Sequence, residues 1–135
     1  MSLGQLDTSH ADMLALPDGE PVPGASLIRA HGRVALQETR VIEREALEAA
    51  VAGRRSIVLD LTDVTQLGPG LLGGILRMRR GLGAIGGRLV LVVGGPPADA
   101  LVRVSVIQAL VDVVPTIADA AALLGPDGPL LRRSG

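Results

Sequence analysis

Apolar and polar positions change rhythm several times along the chain, and each rhythm predicts an element. Ala11–Leu16 and Ser26–Val34 read as extended segments, and the intervening PDGEPVPG carries the Pro and Gly that reverse a chain, so a leading hairpin is expected. From Thr39 to Ala52 the residues are mainly Ala, Leu, Glu and Arg. Ile42, Ala46, Ala49 and Ala50 recur near helical spacing there and Gly53 stands just past the end, which predicts a first helix. Ser56–Leu61, SIVLDL, is short, β-branched and almost wholly apolar, the pattern of a central strand covered on both faces. After the loop TDVTQLGPG, Leu71, Ile75, Met78, Leu82 and Ile85 fall on one helical face while Arg77, Arg79 and Arg80 take others, so a second helix opens near Pro69. Gly86 and Gly87 stop it, and Arg88–Val93 reads as a second buried strand. Residues 96–110 predict a short helix and Val111–Val114 a short strand. Thr116–Leu124 predicts a last helix, with Thr116 and Asp119 in the spacing of a capping box, Asp replacing the usual Glu or Gln.

Alternating strands and helices imply an α/β fold: one domain over 11–124, a mostly parallel, mixed β-sheet opened by a hairpin, and helices packed on one side. Residues 1–10 and 125–135 are expected to be flexible ends. The opening MSLGQLDTSHADM has no basic stretch followed by an apolar run, so a secretory signal is not expected. The aliphatic run Leu89–Val93 falls far short of the ~20 residues of a membrane span. A soluble, cytoplasmic protein without direct membrane insertion follows.

Composition removes several kinds of chemistry. The 135 residues are 47% hydrophobic and 20% charged, enough apolar mass for a packed core, yet Phe, Trp and Tyr are absent and the core must be aliphatic. Without aromatic rings there is no stacking platform for nucleic acid bases and no aromatic cage. Thirteen basic against fourteen acidic residues leave a net charge of -1, which draws no polyanion, so no nucleic acid partner is expected. All basic residues are Arg, which excludes lysine Schiff-base chemistry and a Walker lysine, and zero Cys excludes thiol catalysis and thiolate metal sites.

The remaining motifs yield to structural readings. Gly81, Gly83 and Gly86 spell G-x-G-x-x-G but close a helix and lead into a strand, the reverse of a dinucleotide fingerprint. His10, His31 and Asp12 form no ligand set with Cys, and Ser105 lies in an apolar helical stretch rather than a nucleophile elbow. Asp60 and Asp63 are the best carboxylate pair, but Asp60 ends a buried strand and Asp63 precedes a helix, where an acid favours the positive dipole end. Glu43, Glu45 and Glu48 with Arg44 read as a solvated helix face. No catalytic residues, cofactor or metal are expected, and the protein is read as no enzyme. Gly68-Pro69-Gly70, with Gly73 and Gly74, lacks a phosphate loop's Gly-Lys-Ser/Thr ending, yet lies between a strand's C-terminal end and a helix's N-terminal end, the edge where open α/β sheets place binding sites.

Residues 57–94, IVLDLTDVTQLGPGLLGGILRMRRGLGAIGGRLVLVVG, resemble the core of STAS domains, the anti-sigma-factor antagonist family, and the order of elements extends the likeness over Ser26–Leu124. The resemblance implies a STAS-like single domain that binds an anti-sigma factor of the serine-kinase type, or another regulatory protein, in transcription regulation. In the family the loop before the second helix usually reads Asp-Ser-Ser-Gly-Leu and its second Ser is phosphorylated. Here Gly68-Pro69-Gly70 stands there, so Gly70 takes the phosphoacceptor place with no hydroxyl. Relatives also commonly carry Gly-Glu-Leu-Asp after the second strand, against Gly32-Arg33-Val34-Ala35 here. The expected partner-binding residues are Thr62, Asp63, Thr65, Gln66, Gly68, Pro69, Gly70, Leu71 and Leu72, with Arg77 on the helix behind them. An alternative is a stand-alone STAS subunit of a lipid or anion transport complex, or a module that holds an apolar ligand. An aliphatic-rich chain also leaves room for a homodimer.

Overall fold

The computed structural model describes residues 11–125 apart from 17, 18, 20, 105 and 106; of 11, 12, 102 and 104 only the backbone is described. The expected flexible ends, His10, Ser105 and the Asp12 side chain lie outside the described residues. The elements in chain order are β1 (Ala11–Ala15), β2 (Pro21–Val34), α1 (Leu36–Val51), β3 (Ser56–Leu67), α2 (Leu71–Ala84), β4 (Arg88–Val92), α3 (Ala98–Val104), α4 (Ile107–Leu110), β5 (Asp112–Val114) and α5 (Ile117–Leu124). The five strands lie in chain order: β1 runs antiparallel to β2, and β2, β3, β4 and β5 run parallel.

The period of two in SIVLDL decides what each face buries. Ile57, Leu59 and Leu61 point to one side with Ile28, Ala30, Leu89 and Leu91, and are covered by Ile42, Ala46, Ala49 and Ala50 of α1 and by Leu71, Ile75, Met78 and Leu82 of α2. Val58 points to the other side with Leu27, Val90 and Val92, where Ala120 and Ala121 of α5 close a second core. The expectation of helices on one side is corrected here. The strands are apolar on both faces, so each face needs a cover, and α5 supplies the second.

Other boundaries also move, among them the start of α1, at Leu36 where Thr39 was expected. β2 begins at Pro21, not Ser26: its pairing with β3 starts only at Ala25, so Pro21 and Pro23 face a single neighbouring strand and break no central ladder. The helix predicted over 96–110 is two short helices, α3 and α4. β3 continues to Leu67 through residues predicted as loop, because it keeps pairing with His31–Val34 across two irregularities, Arg29↔Asp60 to His31↔Asp63 and Gly32↔Val64 to Arg33↔Gln66. Each inserts one extra residue in β3, which breaks the alternation that would have marked a strand. The predicted helix stops hold: Gly53 and Gly86 adopt positive φ (99° and 77°), and Arg54 N–H and Gly87 N–H reach back to Ala49 O and Leu82 O at 2.8 and 2.6 Å. Thr116 caps α5, its Oγ1 accepting from Asp119 N–H at 3.0 Å and donating to Asp119 Oδ2 at 2.8 Å.

Candidate functional site

In a parallel sheet the C-terminal ends of neighbouring strands share one edge, and here that edge gathers the end of β3, the head of α2 and the segment after β4. The expected docking residues divide by element. Thr62, Asp63, Thr65 and Gln66 lie in the bulged half of β3 and are exposed, while Val64 between them is buried and holds the ribbon down. Asp60 is buried, and its Oδ1 accepts the Thr62 N–H at 2.9 Å, bracing the first irregularity. Asp63 sits in the strand opposite His31, so its placement at a helix N-terminus is corrected; the extra residues in β3 carry it away from α2. Asp60 is buried and Asp63 exposed, so the two carboxylates occupy different environments.

Gly68 follows directly. Its N–H donates to Val34 O at 2.7 Å, and an added Cβ would lie 2.8 Å from that oxygen and 3.1 Å from Ala35 Cα, so the backbone of β2 fixes this residue as glycine. Pro69 is exposed and Gly70 is the N-cap of α2, at φ -82°, ψ -11°. Among the described residues a Cβ on Gly70 would meet only Leu36 Cδ1, at 3.1 Å. Leu71 N–H reaches Gly68 O at 3.3 Å and Gly74 N–H reaches Gly70 O at 3.0 Å. Among the described residues the N–H groups of Leu72 and Gly73 find no acceptor, and no acid stands in the first turn. The head of α2 therefore presents bare donors and the positive end of the helix dipole. Leu71 is fully buried and half-buried Leu72 packs against the same core, so Leu71 anchors the loop from beneath instead of facing a partner. Burial of a leucine contributes about 1.5–3 kcal/mol to holding the helix head in place.

Arg77 is placed one turn further on, exposed but engaged: Nε and Nη2 donate to Glu43 Oε1 and Oε2 at 2.9 and 2.8 Å. The hydrogen bonds that Arg77 donates to the Glu43 carboxylate, and then the charge of Glu43, hold the guanidinium above its ordinary pKa. This fork ties α2 to α1.

Two further parts of the edge were absent from the residue pattern. Pro96 and Pro97, joined by a cis peptide, share with Thr62, Asp63 and Thr65 an open hollow of about 610 Å³. Their signal was topological: they follow β4, the parallel neighbour of β3. Leu36, half exposed at the start of α1, lies beside Gly70, and no motif marked it because the helix was expected to begin at Thr39. Among the described residues no group of His, Cys, Asp or Glu is arranged to hold a metal ion, and no helix is long and apolar enough to cross a membrane.

A mixed sheet with this order of strands and helices is the fold class to which the sequence pattern pointed. Residues 17–120 match the family model of the STAS domain, and the chain belongs to that family. The match begins at residue 17, further back than the expected Ser26. Among solved structures, the fold is similar to a Thermotoga maritima protein assigned as an anti-sigma factor antagonist, at 17% identity and TM-score 0.68 over 76% of this chain and 89% of that one. It is similar to the anti-sigma factor antagonist SpoIIAA in its unphosphorylated form, at 17% identity and TM-score 0.63 over 93% and 97%. It is also similar to the phosphorylated Bacillus SpoIIAA, at 17% identity and TM-score 0.62 over 82% and 94%. No curated protein sequence matches the chain.

Proposed function

We propose that this chain is a non-enzymatic, cytoplasmic interaction module, a regulator of the anti-sigma-factor antagonist kind that binds an anti-sigma factor through the β3 extension and the head of α2 without a serine switch. The carrying observation is the head of α2: bare N–H groups at Leu72 and Gly73, exposed Thr65, Gln66 and Pro69 beside them, and glycine at position 70. A helix N-terminus of this kind accepts a partner's carbonyls or carboxylates. The similar SpoIIAA structures, one unphosphorylated and one phosphorylated, support a regulatory reading of this fold. With Gly70 there, no phosphate ester can form at that position, and on this reading binding is governed by partner concentration.

The test mixes the purified chain with kinase-type anti-sigma factors from the same genome, with and without ATP. Binding indifferent to ATP and weakened at least about tenfold by Gln66→Arg, a change of about 1.4 kcal/mol, is expected. The Gly70→Ser variant should become phosphorylated by the same partner, since the only atom near its Cβ is a leucine methyl. ATP-dependent labelling of the unaltered chain within residues 62–72 refutes the unswitched reading.

One observation favours a second reading, the apolar ligand. Between α1 and α2 an open groove of about 360 Å³ is floored by Ala46, Ala50, Met78 and Leu82 and flanked by exposed Leu47 and Ile85. Native mass spectrometry that finds an apolar molecule retained by the protein would favour it.

A further inference from the structure

At the other edge of the sheet, where β4 and β5 begin, lies a cleft of about 700 Å³ between the end of α2 and α4. Arg79, Arg80, Arg88, Asp112 and Gln108 line it, with Leu89 at its apolar wall. Three guanidinium groups less one carboxylate give it a formal charge of +2 on a chain whose net charge is -1. Two of these groups are fixed by the fold. Arg79 Nε donates to Leu110 O at 3.0 Å, and Arg88 Nε donates to Asp112 Oδ2 at 2.9 Å. Arg88 Nη2 is ion-paired with the same oxygen at 2.7 Å, which holds the guanidinium at the cleft wall. Among the described residues Arg80 has no ion pair or hydrogen bond.

Arginines toward a helix C-terminus are favoured by the dipole alone, which would account for Arg79 and Arg80 without any ligand. It does not account for Arg88, a third guanidinium that the neighbouring strand brings to the same cleft. At the helix end Leu82 O accepts from Ile85 and Gly87 N–H and Gly83 O from Gly86 N–H, so these two carbonyls are already engaged, and the guanidinium groups offset the negative dipole end. Guanidinium forks match oxyanions with paired donors. A phosphomonoester carries about -1.5 to -2 at neutral pH, which matches the cleft's +2, whereas a monocarboxylate leaves it half neutralised. The volume is that of a small-molecule site, and the absence of aromatic side chains leaves no ring on which a base would stack. We infer that this cleft binds a small non-aromatic phosphomonoester, its phosphate held by Arg80 with the fixed Arg79 and Arg88.

The site lies at the opposite edge from the docking surface, so the two readings stand or fall separately. The test is an NMR titration of amide shifts in the full chain with glycerol 1-phosphate, inorganic phosphate and acetate at low and raised salt. Glycerol 1-phosphate and phosphate should move the amides of Gly83, Gly87 and Ala109–Val111, with acetate at least about tenfold weaker and all binding reduced by salt. A phosphate response equal to that of the ester identifies the free ion as sufficient; a tighter ester assigns the rest of the molecule to the wall at Leu89. Arg80→Gln, a substitution at an exposed side chain, should weaken binding about tenfold while Gln66→Arg leaves it unchanged. No shift by about 20 mM ligand, a Kd above the millimolar range of the weakest specific sites, overturns the inference. So do shifts confined to residues 68–73, or an Arg80→Gln variant that loses thermal stability but binds as before. A hexaglutamate peptide that binds where glycerol 1-phosphate does not would overturn it in favour of an acidic protein segment.

Discussion

Gly68 and Gly70 stand two residues apart in one turn, yet the same substitution should act on them in opposite ways. A Cβ at Gly68 would approach Val34 O to 2.8 Å and Ala35 Cα to 3.1 Å, both main-chain atoms of a paired strand and a helix cap. Ordinary carbon contacts lie at about 3.5–4.0 Å, so the overlap is roughly half an ångström or more and no side-chain rotation relieves it. The turn must lift from β2, stretching the 2.7 Å bond from Gly68 N–H to Val34 O. Overpacking of this kind costs about 1–3 kcal/mol, offset by about 0.4–1 kcal/mol from the stiffer unfolded chain, so Gly68→Ala should lose about 1–2 kcal/mol. At Gly70 the neighbour is one methyl of half-exposed Leu36, which can swing outward, and φ of -82° suits any residue. Gly70→Ala should therefore change stability by no more than about 0.5 kcal/mol. Far-UV circular dichroism during urea and thermal unfolding is the assay, since a chain without Trp or Tyr has no useful intrinsic fluorescence. At about 4 °C per kcal/mol, Gly68→Ala should melt about 4–8 °C lower and Gly70→Ala within about 2 °C of the parent. Equal melting of the two variants, or the reverse order, refutes this account of the turn and with it the claim that position 70 is open to a serine.

Ala35 is an extended N-cap without a side-chain acceptor, its own N–H already received by Glu38 Oε1 at 2.9 Å. Ala35→Asp should add about 1 kcal/mol by supplying the missing cap, visible as a higher urea midpoint at unchanged slope; no gain would mean that the first turn is already satisfied. On the facing helices, a Cβ at Gly74 would lie 2.5 Å from Cγ2 of buried Thr39. Gly74→Ala should destabilise by about 1–2 kcal/mol despite its better helix propensity, and Thr39→Ser in the same chain should recover about half of that, a coupling read from the double-mutant cycle. Additive effects would show that α1 and α2 do not meet through this pair.

The sequence by itself determined the elements wherever a single period ran uninterrupted: SIVLDL and RLVLV as strands buried on both sides, Leu71 to Leu82 as a helix face, Gly53 and Gly86 as stops. It also placed the candidate edge, because a strand followed by a glycine turn and a helix puts that turn at the C-terminal end of the sheet whatever the rest does. Periodicity is local, and the remaining decisions were not. That Thr62–Leu67 is strand depended on pairing with β2 through two inserted residues, which erase the alternation from which a strand is recognised. That α5 lies across the sheet from α1 and α2 depended on which apolar face was still bare. The pairing of Arg77 with Glu43, the burial of Leu71, the approach of Pro96 and Pro97 to Thr62, and the gathering of Arg79, Arg80 and Arg88 around one cleft each join residues far apart in the chain. Composition supplied the charges and the side chains, and only packing, which fixes distances between segments that share no local pattern, decided which of them meet.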